Sequence, residues 1–140
     1  MRTHLFDASA IMLLAKKYPS KASATLEDEY LLDLTIYEVG NAIWKLNKLI
    51  NKSDKSSAIE AIDQAYYLTA MMEILKIEGV KGHTCTMELA FDGNLSFYDS
   101  AYLQVAKRND LTLVTEDERL LKRSMEASVK CVKVADLIKD

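Results

Sequence analysis

The chain is poor in the residues that break or staple a fold. Its 140 residues include one proline and four glycines, too few for a linker or a disordered tail. Cys85 and Cys131 are the two cysteines; they lie far apart, outside any CxxC pair, which argues against a disulfide framework and favours buried thiols. The two histidines, His4 and His83, form no metal-spaced pair. His4 is expected to pack within a strand and His83 to lie in a loop, so a transition-metal centre is not indicated. No apolar run is long enough, or free enough of charge, to span a bilayer. Met1 to Ala15 carries Arg2 and Asp7 and has no small-residue cleavage site, so nothing signals secretion. A cytoplasmic protein without a membrane partner is the expectation.

Excess positive charge is also missing. The 18 basic and 21 acidic residues leave a formal charge of -3, so there is no global cationic field for neutralising phosphates. A nucleic acid would have to be met by a local basic surface, a bound cation, or both. What is present, 49% hydrophobic and 28% charged residues, describes one ordered domain over residues 1–140.

Short apolar runs alternate with helical patterns. Strands are expected at Arg2 to Phe6, Tyr30 to Leu34, around Val80, at Leu111 to Thr115 and at Cys131 to Val134. A helix follows Asp7 from about Ser9 to Leu14, and Pro19 within "YPSKASA" marks a loop. Thr35 and Glu38 stand in a capping-box relation before a helix through Ile43, Trp44, Leu46 and Leu49. Ser57 and Glu60 repeat the pattern before a long helix through Ile77, which Gly79 ends. Two consecutive long helices suggest an arm beside the sheet. Trp44, Tyr66, Tyr67 and the Met71-Met72 pair have the spacing of core or helix-helix contacts. Further helices are expected through "CTMELAF", from a cap at Ser96 to Asp99 through Arg108, and over "DERLLKR". This alternation predicts an α/β sandwich with a mainly parallel central sheet.

In such a sheet the segments just beyond the carboxyl ends of the strands converge on one edge, where ligands bind. Asp7 follows the first strand, with Ser9 beside it. Thr115 to Asp117 follow a later strand, and Glu38 and Asp99 lie in the first turns of helices. Four carboxylates from distant segments can share a pocket. Like charges at close range raise one another's proton affinity, whereas a divalent cation makes the same grouping favourable. All-oxygen donors suit Mg²⁺ or Mn²⁺, and such an ion suits phosphodiester hydrolysis by an activated water. Helix capping alone also accounts for Glu38 and Asp99 taken singly, and within "TED" and the following Glu118 the residues alone do not single out one ligand.

The set "FDAS" at Phe6 to Ser9, "YEVGNAIWK" at Tyr37 to Lys45, "FYDSAYLQVAKR" at Phe97 to Arg108 and "LTLVTEDERL" at Leu111 to Leu120 resembles the PIN-domain family, in particular the VapC-like ribonuclease toxins. The resemblance covers nearly the whole chain. It implies a PIN-like α/β/α sandwich with a mainly parallel central sheet and a helical arm. It also implies a Mg²⁺- or Mn²⁺-dependent endoribonuclease whose catalytic acids are Asp7, Glu38, Asp99 and Asp117. Asp7 and Asp99 are the primary metal ligands it suggests, with Glu38 and Asp117 as further ones. The family's threonine or serine, then one residue, then aspartate selects Asp117 over Glu116 and aligns Thr115. Ser9, Asn41 and Thr115 take supporting roles. An RNA substrate, a homodimer and a small antitoxin covering the acidic groove are the partners implied.

Lys45, Lys48, Lys52 and Lys55, and separately Arg108, Arg119, Lys122 and Arg123, are candidate phosphate contacts; the last four could instead pair with Asp110, Glu118 or Glu126. Competing readings are a nuclease of RNA maturation or structured nucleic acid, and a non-catalytic protein-interaction domain. A phosphoacceptor receiver domain is disfavoured by the two long helices between the early acids and the later strands.

Overall fold

The computed structural model describes residues 3–138. Five short strands, β1 (His4–Phe6), β2 (Tyr30–Leu32), β3 (Glu73–Leu75), β4 (Thr112–Val114) and β5 (Cys131–Val132), form one sheet in the order β3-β2-β1-β4-β5. Each of the four pairings is parallel, with Leu5 opposite Leu113 and Leu31 opposite Ile74.

Such short strands hold because the central ones are buried on both faces. Successive residues point to opposite sides of a strand, and each central strand carries an apolar residue on both. Phe6, Leu31 and Val114 enter one core with Ile11, Leu14, Leu26, Val39 and Ile43. Leu5, Leu32 and Leu113 enter the other with Tyr102, Leu103, Val105 and Leu120. Full burial of each such side chain contributes roughly 2 kcal/mol relative to exposure. The first core is covered by α1 (Ala8–Lys17), α2 (Pro19–Leu26), α3 (Asp33–Trp44), α4 (Lys55–Ala70) and α8 (Val134–Leu137). The second lies under α5 (Gly79–Gly93), α6 (Phe97–Arg108) and α7 (Glu118–Glu126). The result is an α/β/α sandwich.

Several expected boundaries change. Arg2, the expected start of the first strand, lies outside the described residues. Pro19 opens α2 instead of a loop; at the first helical position its missing N–H has no intrahelical partner to lose. Thr35 is not the cap of α3 but lies inside its first turn, where its hydroxyl accepts from Leu32 N at 3.1 Å. The helix then widens into a π-helical turn over Lys45–Ile50, so Trp44 and Leu49 do not share a buried stripe and both are exposed. Asp54, not Ser57, caps α4, accepting from Ser57 N at 3.0 Å.

The largest change is at the end of the arm. The helix expected to reach Ile77 stops at Ala70, and Glu73–Leu75 becomes the edge strand beside β2. A short apolar run such as "MMEIL" fits either period; parallel pairing with β2 decides it. Val80 lies in α5 and is exposed, not in a strand, and Val134 begins α8. Tyr66 and Tyr67, expected in packing, are exposed as well, whereas Met72 is buried.

Candidate active site

The chain leaves β1 for β2 and β3 on one side and returns to β4 on the other, so the direction of winding reverses between β1 and β4. Loops that part at such a reversal leave a crevice at the carboxyl edge of the sheet. Asp7 follows β1 and Thr115 follows β4, directly flanking that crevice.

Asp7 is buried and caps α1, its Oδ1 accepting from Ala10 N at 3.0 Å and from Ser9 Oγ at 2.6 Å. Oδ2 accepts from the Thr115 hydroxyl. Burial raises its pKa to about 6; the Ser9, Thr115 and Ala10 hydrogen bonds oppose that rise, and the Glu38 charge adds to it. Ser9 and Thr115 also shape the opposite loop: Glu116 N donates to Ser9 Oγ at 3.0 Å and Asp117 N to Thr115 Oγ1 at 3.1 Å.

Glu38 projects from α3 and accepts from the Tyr102 hydroxyl at 2.5 Å. Burial and the Asp99 charge raise its pKa, against the effect of the Tyr102 hydrogen bond. Asp99 stands in the first turn of α6, which Ser96 caps by accepting from Asp99 N at 3.1 Å. Burial and then the Asp117 charge raise its pKa, while the Arg119 guanidinium, 3.7 Å from Oδ2, pulls it down. Asp117 is exposed and caps α7, accepting from Arg119 N at 2.9 Å. Electrostatically, then, Glu38 acts on Asp7, Asp99 on Glu38 and Asp117 on Asp99. The four acids named from the sequence form a coupled series along one edge.

Asn41 lies three residues after Glu38 on α3, exposed on the wall of a groove of about 560 Å³ shared with Ser9, Glu38 and Lys45. Glu116 and Glu118 turn elsewhere. Glu116 accepts from Val134 N at 2.8 Å and Glu118 pairs with Lys133. Arg123 pairs with Glu126 at 3.0 Å. His4 is held at 2.5 Å by Glu29, away from the acids.

Tyr102 is the residue that the sequence reading passed over. It is buried in α6, and its one hydroxyl proton goes to Glu38, so the Thr35 hydroxyl, 2.7 Å away, donates to it in turn. The signal was a spacing: Tyr102 stands three residues after Asp99, and Glu38 three after Thr35, which puts each pair on one helix face.

Among the described residues, no group of three or more His, Cys, Asp or Glu side chains is gathered so as to hold a metal ion. Mg²⁺ does not require one, because it keeps several waters and takes one or two carboxylates together with substrate phosphate. The donor set fits such an ion: all-oxygen, partly buried and mutually repelling.

The topology and the acidic edge define a class, a PIN-type sandwich with carboxylates at its switch point. No family model matches the chain, but individual proteins do. It is 34% identical over 124 residues to the exonuclease VapC9 of Pyrobaculum aerophilum, covering 89% of this chain and 87% of that one. It is 27% identical over 127 residues to the ribonuclease VapC3 of the same organism, covering 84% and 91%. The crystal structure of PAE2754 from Pyrobaculum aerophilum superposes with a TM-score of 0.79 at 31% identity, over 97% of this chain and 92% of that one. The chain belongs to the VapC group of the PIN-domain family.

Proposed function

We propose that the protein is a divalent-cation-dependent endoribonuclease, using Mg²⁺ or Mn²⁺, that acts in the cytoplasm as the toxin of a toxin-antitoxin pair. The observation that carries the reading is the coupled series of Asp7, Glu38, Asp99 and Asp117 at the switch point of the sheet. The burial of Asp7, Glu38 and Asp99, and to a lesser degree the repulsion along the series, is a cost to the folded chain that a bound cation would relieve.

Asp7 and Asp99 would hold the cation, with Glu38 and Asp117 within reach of a second position or of its waters. When bound, the ion would neutralise charge on the phosphoryl oxygens and make a water acidic enough to attack. The chain supplies the rest. Ser9 and Thr115 fix both oxygens of Asp7. Tyr102, kept a neutral donor by burial and by the Glu38 charge, orients Glu38 to accept a proton from the attacking water. Direct water attack leaves 5'-phosphate and 3'-hydroxyl ends.

VapC9 is named an exonuclease and VapC3 a ribonuclease, so an end-dependent nuclease is the second reading. A circular single-stranded RNA separates them: an endonuclease linearises it with Mn²⁺ and an exonuclease leaves it intact. End mapping on cellular RNA separates a toxin, which selects few sites, from a maturation enzyme. Loss of cleavage in Asp99→Asn with an unchanged fold is expected; equal activity there would sink the site assignment.

The antitoxin would cover the acidic edge and the adjoining apolar groove of about 510 Å³ lined by Met12, Leu13, Ile43, Leu46, Ala61 and Ala65. Ser9, Met12 and Leu46 line both this groove and the one at Glu38, so a single segment could fill the two. A homodimer is part of the same reading.

A further inference from the structure

We propose that Arg119 is a positioning residue that competes with the divalent cation for Asp99 and, once displaced, binds an RNA phosphate, so that cation and RNA each strengthen the other's binding. The inference rests on the metal-site reading above and extends it to a residue outside the acids.

Three features of Arg119 carry it. Its backbone is fixed at the acidic edge, since Arg119 N donates to Asp117 Oδ1 at 2.9 Å. Its guanidinium lies 3.7 Å from Asp99 Oδ2 and depresses the proton affinity of that carboxylate. The side chain is nevertheless 60% exposed, against 24% for Asp99. The contact is too long for a hydrogen bond, and a solvated ion pair of this kind is weak. Arg119 is therefore a loose occupant of Asp99, easily exchanged.

A divalent ion on Asp99 would repel the guanidinium and take its partner. The freed group already faces solvent at the mouth of the crevice, and its fork of donors matches the geometry of a phosphate. Nearby basic side chains are differently placed: Lys133 is tied to Glu118 and Arg123 to Glu126. Without RNA, Arg119 opposes the cation. With RNA, the phosphate takes Arg119 and the opposition ends. The coupling is reciprocal, as any linkage between two ligands must be.

The test uses the full chain as wild type, Arg119→Gln, Arg119→Lys and, as a control on the same helix, Lys122→Gln. Mn²⁺ affinity is measured calorimetrically without RNA. Affinity for a single-stranded RNA is measured with Ca²⁺ over a range of KCl, under conditions where a gel shows the RNA intact. In Arg119→Gln, Mn²⁺ should bind about threefold tighter, the scale set by a solvated ion pair. The same change should lower the slope of log affinity against log salt by about 0.7, the value for one lost phosphate contact on a single strand. Arg119→Lys should keep the wild-type slope, and Lys122→Gln should leave Mn²⁺ affinity unchanged. Unchanged or weaker Mn²⁺ binding in Arg119→Gln, or an unchanged salt slope, overturns the inference while leaving the metal site standing. Failure of the wild type to bind Mn²⁺ at all overturns the metal-site reading and this inference with it.

Discussion

Thr115 donates its hydroxyl proton to Oδ2 of Asp7, a residue 108 positions earlier in the chain. The contact joins the ends of the two strands that flank the switch point and leaves Asp7 with hydrogen bonds on both oxygens. It also works against burial, which holds the carboxyl near pKa 6. Replacing Thr115 by valine keeps the shape and removes the donor. The acid limb of kcat/KM against pH should then move to higher pH, because the ionised form of Asp7 loses support. Stability should fall by about 1–2 kcal/mol, since Asp117 N loses its acceptor as well. An acid limb that does not move would show that Asp7 is not the group titrating there.

The same pKa sets how stability responds to pH without metal. Asp7 titrates at about 6 when folded and at the ordinary aspartate value of 3.8 when unfolded, chiefly because burial disfavours its charge. Its stabilising contribution is complete below 3.8 and is lost as pH rises through about 6, a loss of roughly 3 kcal/mol. Glu38 and Asp99 are shifted upward by burial too and add in the same sense. Urea unfolding in EDTA should therefore give falling stability from pH 4 to 7. A rise over that interval would contradict the assigned environment of Asp7.

How much of this could be read beforehand depended on whether the deciding interaction was local. Asp7, Asp99 and Asp117 stood out because each sits at the end of an element, where caps and strand exits leave marks within a few residues; Glu38, in the second turn of α3, was reached through a capping relation with Thr35 that the fold does not form. The cap at Ser96 and the strand through Leu113 follow from the same local rules. The edge strand Glu73–Leu75 was not legible, because its pairing with Leu31 and Leu32 decides it and "MMEIL" favours neither period. Nor was Asp54 as the cap of α4, since Ser57 and Glu60 offer an equally good local pattern. Tyr102 was missed for a third reason: its partner Glu38 is 64 residues away, and the spacing that puts Tyr102 on the helix face of Asp99 does not name that partner.

Tyr102→Phe tests that missed residue. The change deletes one hydroxyl, leaving Glu38 without its 2.5 Å donor and the buried Thr35 hydroxyl without its 2.7 Å partner. A loss of about 1–2 kcal/mol in stability is expected from the unpaired buried group. The Tyr102 hydrogen bond lowers the pKa of Glu38, so its removal should raise it further, and cleavage should fall more at a pH on the acid limb of the profile than at one on its plateau. Equal losses at both pH values would assign Tyr102 to packing alone.

Asp7→Asn separates a metal ligand from a helix cap. Asparagine is as good a cap as aspartate and keeps an oxygen for Ala10 N and Ser9 Oγ; it turns Oδ2, the acceptor of the Thr115 hydroxyl, into a donor, and it removes a charge that burial opposes. In EDTA at pH 7.5 the variant should be more stable than wild type, by up to about 3 kcal/mol on the linkage above. Saturating Mn²⁺ should reverse the order. At a thousandfold excess over its dissociation constant, a ligand that binds only the folded state adds about 4.1 kcal/mol, a gain open to wild type and largely closed to the variant. Thermal unfolding of both proteins, with EDTA and across a Mn²⁺ titration, measures the crossing directly. A variant no more stable than wild type in EDTA would show that the charge of Asp7 carries no net cost in the folded chain. A variant that gains as much from Mn²⁺ as wild type would place the ion elsewhere. A crossing would mean that the folded chain carries an electrostatic cost at Asp7 that the cation removes.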